Sequence, residues 1–155
     1  MRIRLIAMGS KMPRWIQEGY EAYSRRLVQD VKLELIEIPL GHRGKNTDIS
    51  RLQKKEATQM LAAIGQGDQV VALEIMEKPW STEDLADKMR GWLYSGCNIS
   101  LLIGGPEGLH SRCSQQADTR WSLSPLTLPH PLVRIIIAEQ VYRVWSMLQN
   151  HPYHR

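Results

Sequence analysis

A glycine-rich turn at the end of a short apolar segment is the first place where this sequence could bind a ligand. Residues 98–103 are rich in branched apolar side chains and have the length of a buried strand. The segment ends at Gly104-Gly105-Pro106, where adjacent glycines let a ligand approach bare main chain. Because open α/β sheets bind ligands at the carboxyl ends of their strands, this turn predicts one wall of a cleft. A tight strand-to-helix turn without a ligand is the alternative.

A proline-rich loop later in the chain is the second candidate. Residues 121–134 read WSLSPLTLPHPLVR, with three prolines in seven residues, so we expect neither a helix nor a central strand. The loop is apolar, and we expect it to be buried. Buried backbone N–H and C=O groups need hydrogen-bond partners, which a bound ligand can supply. A loop that serves packing alone is the alternative.

A basic loop follows the second predicted strand. Residues 40–47 read LGHRGKNT and lack the spacing of a P-loop between the first glycine and the Gly-Lys pair. We interpret the segment as a mobile surface loop whose His42, Arg43 and Lys45 can contact a phosphate backbone. A flexible solvated loop is the alternative.

The composition indicates a single globular domain over residues 1–155. Apolar residues make up 43% of the chain and charged residues 23%, which is an ordinary balance for a soluble protein. We find no apolar run of membrane length and no signal peptide, and therefore expect a cytoplasmic protein. Cys97 and Cys113 have neither the spacing of a zinc site nor that of a disulfide framework, so we expect no metal.

The net charge of +4 is unevenly distributed along the chain. Residues 1–55 hold 12 Lys or Arg against 6 Asp or Glu, whereas residues 56–111 hold 3 against 8. This asymmetry favours a polyanionic partner without identifying it.

The elements that must position these loops follow from hydrophobic patterning. The pattern predicts strands at 2–8, 33–38, 69–74, 98–103 and 120–123. It predicts helices at 13–28, 49–64, 82–94, 110–117 and 133–148, with Asp48 and a Ser81/Asp84 capping box at two of the helix starts. Strands that alternate with helices predict a mostly parallel sheet covered on both faces. Three strand ends, at residues 73–74, 104–105 and 123–124, should then border one cleft.

Several long motifs together resemble one known family. They are LLIGGPEGL at 101–109, SLSPLTLPHPLVR at 122–134 and NHPYHR at 150–155, with further matches at GHRGKN and KPW. The chain resembles, from end to end, the H family of ribosomal RNA large subunit methyltransferases, which belongs to the SPOUT, or α/β-knot, superfamily.

The resemblance implies a fold, a cofactor and a substrate. The fold is a single-domain α/β-knot whose C-terminal segment forms a deep trefoil knot. The cofactor is S-adenosylmethionine, and its pocket is expected to include Leu73, Gly105, Ser124, Pro125, Leu126, Thr127, Leu128 and Pro129. Gly105 is expected to lie so close to the ligand that no side chain fits. The family forms homodimers with a shared active site and methylates N3 of a pseudouridine in helix 69 of 23S rRNA on the assembled 70S ribosome.

Methyl transfer requires in-line positioning and removal of the N3 proton. The sulfonium cofactor needs no metal to activate its methyl group. The ionisable groups near the relevant segments are His130, His151, His154, Glu107 and Glu139. Arg143 could hold a phosphate or the uracil carbonyls, or could form only an ion pair.

The C-terminal tail, residues 150–155, could be an ordinary frayed terminus. It nevertheless concentrates two imidazoles, a phenol and a guanidinium, and we hypothesise that it folds over the methyl end of the cofactor when RNA arrives. Tyr153 would then contact the base, His154 would orient it or accept the N3 proton, and Arg155 would meet RNA. The expected catalytic residues are His154, Tyr153 and Arg143; the expected RNA contacts are His42, Arg43, Lys45 and Arg155.

Two other classes of function are alternatives to a methyltransferase. The first is a noncatalytic RNA-binding or ribosome-binding α/β protein. The second is a nucleotide or flavin binder, which is disfavoured because GGPEG does not match the GxGxxG fingerprint.

Overall fold

Five parallel strands form one sheet in the computed structural model, which describes residues 1–155. The strands are β1 (Arg2–Met8), β2 (Lys32–Ile38), β3 (Gln69–Leu73), β4 (Ile99–Ile103) and β5 (Thr119–Trp121). Their order is β2-β1-β4-β3-β5, and every neighbouring pair is parallel. The predicted parallel sheet is therefore confirmed, with β4 and its glycine turn at the centre.

Helices cover both faces of the sheet, as predicted. They are α1 (Arg14–Ser24), α2 (Ile49–Ala63), α3 (Thr82–Ser95), α4 (Ser111–Gln116) and α5 (His130–Leu148), followed by a 3-10 turn at Pro152–His154. Leu5 and Leu101 share a core with α1, α3 and α5. Ile6 and Leu102, one residue along each strand, share the other core with α2 and α4. This alternation follows from the two-residue side-chain period of a strand.

Two predicted helix starts have the expected caps. The Asp48 carboxylate accepts a hydrogen bond from the Arg51 backbone N–H at 3.1 Å. Ser81 and Asp84 form a reciprocal capping box, with bonds of 2.9 and 3.0 Å. These side chains satisfy N–H groups that the first turn of a helix leaves free.

The first and last helices differ from the predicted boundaries. α1 ends at Ser24 rather than near Val28, and Gln29 adopts a positive φ of 62° soon afterwards. α5 begins at His130, three residues earlier than expected, with Pro131 in its first turn. A proline is tolerated there because the first N–H groups of a helix have no intrahelical acceptor.

The apolar sequence of the loop between β5 and α5 predicted a buried loop, but its middle is exposed. Leu126 is 72% exposed, and Pro125 and Thr127 are exposed as well. Leu123 and Leu128 pack against the main core, while most of the loop borders a cavity, which is described below.

A buried arginine fixes the start of α5 against the ends of β1 and β2. The Arg134 guanidinium donates to Glu37 at 2.7 Å and to the backbone oxygen of Gly9 at 2.7 Å. The side chain is only 1% exposed, so it cannot be a surface contact. Because α5 follows the loop at 122–129 directly, this anchor also fixes one end of that loop.

Candidate active site

A cavity of about 680 Å³ lies where β3, β4 and β5 end. This volume is within the usual range for a small-molecule site. Of the residues expected to bind cofactor, the cavity is lined by Leu73, Gly105, Ser124, Leu126, Thr127, Leu128 and Pro129. Pro125 is exposed and does not line it. The prediction that three strand ends border one cleft is confirmed.

Cβ atoms added to the two glycines of the turn would contact different neighbours. A Cβ on Gly104 would lie 2.5 Å from the backbone nitrogen of Leu109 and closer still to the carbonyl carbon of Gly108. A Cβ on Gly105 would point at Leu40 and Met8, at 3.2 and 3.3 Å. The space beside Gly105 is thus limited by the protein itself, which differs from the expectation of a ligand in that position.

The loop at 122–129 is hydrogen-bonded at its start, and several of its later backbone N–H groups have no partner within the chain. The Ser122 hydroxyl lies 3.1 Å from both the Ile75 and Ser124 backbone oxygens. Beyond this anchor, the backbone N–H groups of Leu123, Thr127 and Leu128 make no hydrogen bond within the chain. These donors are available to a ligand; the prediction of such donors rested on a buried loop, whereas Thr127 is exposed.

A pair of stacked tryptophans lies next to the start of the loop at 122–129. The rings of Trp80 and Trp121 are 4.8 Å apart and nearly parallel, and Lys88 lies over Trp80 at 5.3 Å. A backbone bridge joins Pro79 to Ser122. The KPW segment therefore positions the loop after β5, a role that residue spacing alone did not reveal.

The cavity is acidic. Glu74 and Glu77 line it and no lysine or arginine does, although Arg120 lies 3.6 Å from the Glu74 carboxylate. Burial, with a contribution from Arg134, lowers the pKa of His130, which also lines the cavity. The buried His130 Nδ1 has no hydrogen-bond partner in the protein. The site therefore suits a cationic ligand. The sequence analysis placed Glu74 at a strand end that borders the cleft but gave its carboxylate no role, and it missed Glu77.

The basic loop is pinned at its centre. Arg43 binds Glu56 of α2 at 2.7 Å and Glu107 of the glycine turn at 2.6 Å. Burial alone would raise the pKa of Glu56, but hydrogen bonds from Arg43 and from Gly41 outweigh burial and lower it. His42 and Lys45 are exposed and have no ion-pair partner, in contrast to Arg43.

The tail packs against α5 and does not fray. The Tyr153 hydroxyl donates to Glu139 at 3.1 Å, and Arg143 binds the same carboxylate at 2.7 Å. His154 Nδ1 lies 3.5 Å from the Ser146 hydroxyl, and Arg155 is exposed. Burial and the neighbouring Glu139 raise the pKa of Tyr153 to about 12, so the phenol stays protonated at neutral pH. The structure thus brings together the three residues expected to be catalytic.

This tail cluster, formed by Glu139, Arg143, Tyr153 and His154, does not reach the cavity of its own chain. None of its members lines the cavity, whereas His130 and Val133 at the start of α5 do. Arg143 follows His130 by 13 residues on one helix, which corresponds to about 20 Å along the axis.

Two other features bear on the class of site. No group of three or more His, Cys, Asp and Glu side chains is arranged to hold a metal ion. No helix combines the length and the apolar character that crossing a membrane requires.

Similarity to known proteins agrees with this geometry. The family described as "Predicted SPOUT methyltransferase" matches residues 1–154. Proteins called ribosomal RNA large subunit methyltransferase H are 57% identical in Marinomonas sp. (strain MWYL1) and 53% identical in Pseudomonas putida (strain W619), each over the full length of both chains.

Solved structures share the fold at low sequence identity. A tRNA methyltransferase from Aquifex aeolicus aligns with a TM-score of 0.56 and 15% identity, over 93% of this chain and 70% of that one. A methyltransferase from Legionella pneumophila, solved with bound SAM, aligns at 0.50 and 13% identity, over 94% and 66%. With a match from end to end and two close relatives, the chain belongs to the SPOUT methyltransferase family.

Proposed function

We propose that this protein transfers a methyl group from S-adenosylmethionine to N3 of a pseudouridine in helix 69 of 23S rRNA on the 70S ribosome. Support for an rRNA substrate comes from the names of its two full-length relatives and from its family. The specific base and the ribosomal context follow from the family resemblance of its motifs.

The observation that carries the proposal is the acidic cavity at the three strand ends. S-adenosylmethionine bears a sulfonium and an ammonium against one carboxylate, so its net charge is positive. No lysine or arginine lines the cavity, and although Glu74 is paired with Arg120 at 3.6 Å, Glu77 has no ion-pair partner and complements that charge. The free N–H groups of Leu123, Thr127 and Leu128 can hydrogen-bond the adenine edge or the carboxylate. The residues present therefore fit the cofactor.

The protein's part in the reaction is positioning and proton removal. The bound cofactor supplies an electrophilic methyl group. The lining of the cavity would hold it in one orientation. A neutral His130 adds no positive charge beside the cofactor. We assign Tyr153 to contact the target nucleobase and Arg143 to bind one of its carbonyl oxygens or a phosphate. We assign His154 to orient the nucleobase or to accept its N3 proton. Tyr153 is not the acceptor, because its phenol is protonated.

We further propose that two chains share each active site as a homodimer. The supporting observation is the separation of about 20 Å along α5 between the cavity and the tail cluster. Two α5 helices packed antiparallel would place the tail cluster of one chain beside the cavity of the other. The same arrangement is implied by the family resemblance.

The RNA-binding surface that we propose combines the basic loop with α2. His42 and Lys45 lie exposed in the loop. Arg155 is also exposed, but it ends the tail that packs on α5, on the other face of the sheet, and would meet RNA separately. Arg51, Lys54 and Lys55 lie exposed on α2, and Arg112 donates to Thr58 of the same helix at 3.0 Å. The only carboxylate on α2, Glu56, is buried and bound to Arg43. This face is therefore positive and suited to RNA phosphates.

Two further proposals come from the resemblance. The C-terminal segment that carries α5 forms a trefoil knot with the loops around the cavity. The enzyme acts on ribosomes in the cytoplasm.

Two measurements test the proposed function. Calorimetry with S-adenosylmethionine should show binding to the isolated protein, and labelled methyl groups should then appear in 23S rRNA of ribosomes that lack the modification. No cofactor binding by folded protein would overturn the enzyme and leave a noncatalytic RNA-binding protein. Binding with methylation of a different base would overturn only the site assignment.

A further inference from the structure

We propose that Arg43 is a positioning residue that clamps the cofactor-binding turn to α2, and not a phosphate contact. The clamp links the RNA-binding loop to the cofactor cavity, so that occupation of one affects the other. The inference rests on the proposed cofactor, and the experiment below separates failure of the clamp from failure of that assignment.

Every N–H group of Arg43 already has an acceptor. A guanidinium has five N–H donors. Nε donates to both Glu107 oxygens at 3.2 Å. Nη1 donates to the Gly41 oxygen at 3.0 Å and to Glu56 at 2.9 Å, and Nη2 donates to Glu56 at 2.7 Å and to Glu107 at 2.6 Å. A phosphate could bind Arg43 only by displacing one of these carboxylates.

The two carboxylates belong to different parts of the molecule. Glu56 is buried on α2 and also accepts a hydrogen bond from the Gly41 backbone at 2.8 Å, so it is a fixed support. Glu107 lies inside the turn that Gly105 and Gly108 close with a hydrogen bond of 3.0 Å. Gly105 and Gly108 line the cavity. Arg43 therefore joins a rigid helix to a wall of the cofactor site.

The same arginine lies between the two exposed RNA-contact candidates, His42 and Lys45. Movement of this loop on RNA binding must either carry the Arg43 guanidinium with it or break its bonds to Glu107. Either event changes the turn that borders the cavity. Linkage requires the effect to be reciprocal, so cofactor binding must change the affinity for RNA by the same factor.

The test measures the Kd of S-adenosylhomocysteine by calorimetry on the full chain without RNA. We expect Arg43→Gln and Glu107→Gln each to weaken binding by on the order of fivefold or more, the low end of typical coupling. The double variant should be no weaker than the worse single variant, because both changes break the same link. Glu107→Gln leaves the Arg43–Glu56 pair in place, which guards against loss of folding.

Two control variants separate the clamp from general effects. Arg4→Gln breaks an ion pair of matching burial, since Arg4 is 19% exposed and its partner Asp68 is 1% exposed, against 20% and 7% for Arg43 and Glu56. It should lower the unfolding temperature but leave the Kd unchanged. Lys45→Gln should leave both unchanged and weaken only ribosome binding.

Each possible result supports or refutes the cofactor assignment or the clamp. Wild-type protein that fails to bind S-adenosylhomocysteine refutes the cofactor assignment and the clamp with it. Wild-type binding with an equal Kd for Glu107→Gln refutes the clamp alone. If Arg43→Gln keeps its Kd but loses ribosome affinity as Lys45→Gln does, Arg43 is a phosphate contact and the clamp is wrong.

Discussion

Gly104 is the residue at which the site tolerates least change. Its missing side chain is required by the backbone of the same turn, at Gly108 and Leu109. We expect Gly104→Ala to force the turn outward, lower the unfolding temperature and weaken cofactor binding by about tenfold or more, since a shift of ångström size misplaces bound groups. Thermal unfolding and calorimetry check this.

A second glycine provides the matched control for that variant. Gly91 lies inside α3, and nothing approaches within 4 Å of the position that a Cβ would take. Gly91→Ala should stabilise the protein by about 0.5–1 kcal/mol, because alanine loses less backbone freedom on folding. An equal loss of cofactor affinity in both glycine variants would show that the effect is not specific to the turn.

The buried Glu56 makes stability depend on pH in one direction. Its pKa in the folded protein lies below its ordinary value of 4.5, so its contribution is complete above that value and is lost as pH falls through the folded pKa. At pH 7, Glu56→Gln should cost about 1–3 kcal/mol, the usual range for a hydrogen-bonded charged group. Denaturant unfolding of both proteins should show this difference shrinking below pH ~4. A difference that stays constant down to pH ~3 would contradict the assignment.

The contacts that single residues make in the fold could not be predicted from the sequence. Gly105 was predicted as a cofactor contact and Arg43 as a phosphate contact, but the groups that they contact within the chain were not predictable from spacing. Glu56 and Glu107 are 51 residues apart in the sequence, and only the fold brings both to Arg43. The exposed positions His42 and Lys45 remain predicted RNA contacts.

The C-terminal tail is the element whose removal should separate binding from catalysis. Its 3-10 turn packs on α5 through Tyr153, which also lies 4.5 Å from the Tyr142 ring and beneath Arg143. Ending the chain at Asn150 should leave the fold and cofactor binding intact and lower methyl transfer by on the order of a hundredfold or more. A near-normal rate on ribosomes would show that the tail is a structural cover for α5.

The basic face of α2 can be tested by salt dependence. Lys54→Gln with Lys55→Gln removes two exposed charges and should weaken ribosome binding while flattening its slope against salt by about two counterions. Lys32→Gln with Arg90→Gln removes the same charge from other surfaces and should leave the slope nearly unchanged. Equal slopes for both pairs would argue against α2 as an RNA contact.

Element boundaries were predictable where a local signal exists. Asp48 and the Ser81/Asp84 pair mark helix starts through contacts within four residues, and both were found as expected. The start of α5 was not predictable from its prolines, because Pro131 breaks a helix at most positions and is tolerated in the first turn. The exposure of Leu126 depends on the cavity, which patterning cannot reveal.

At the scale of the whole molecule, hydrophobic patterning was enough to predict the parallel sheet and the helices that cover its two faces. It was also enough to bring three strand ends to one cleft, because parallel strands share a direction. The distance between the cavity and the tail cluster could not be foreseen, since it depends on where α5 begins and how the tail folds back on it. That distance is the basis for a site shared between two chains.

Methyl transfer by a mixed dimer tests this account most directly. One chain carries Leu126→Arg, which adds an arginine to a cavity lining that holds no lysine or arginine, and the other ends at Asn150. Each variant alone should bind ribosomes but transfer almost no labelled methyl to 23S rRNA. The co-expressed heterodimer, purified by two different tags, should recover about half of the wild-type rate, because it holds one intact cavity and the tail of the partner. A heterodimer as inactive as its parents would contradict the shared site.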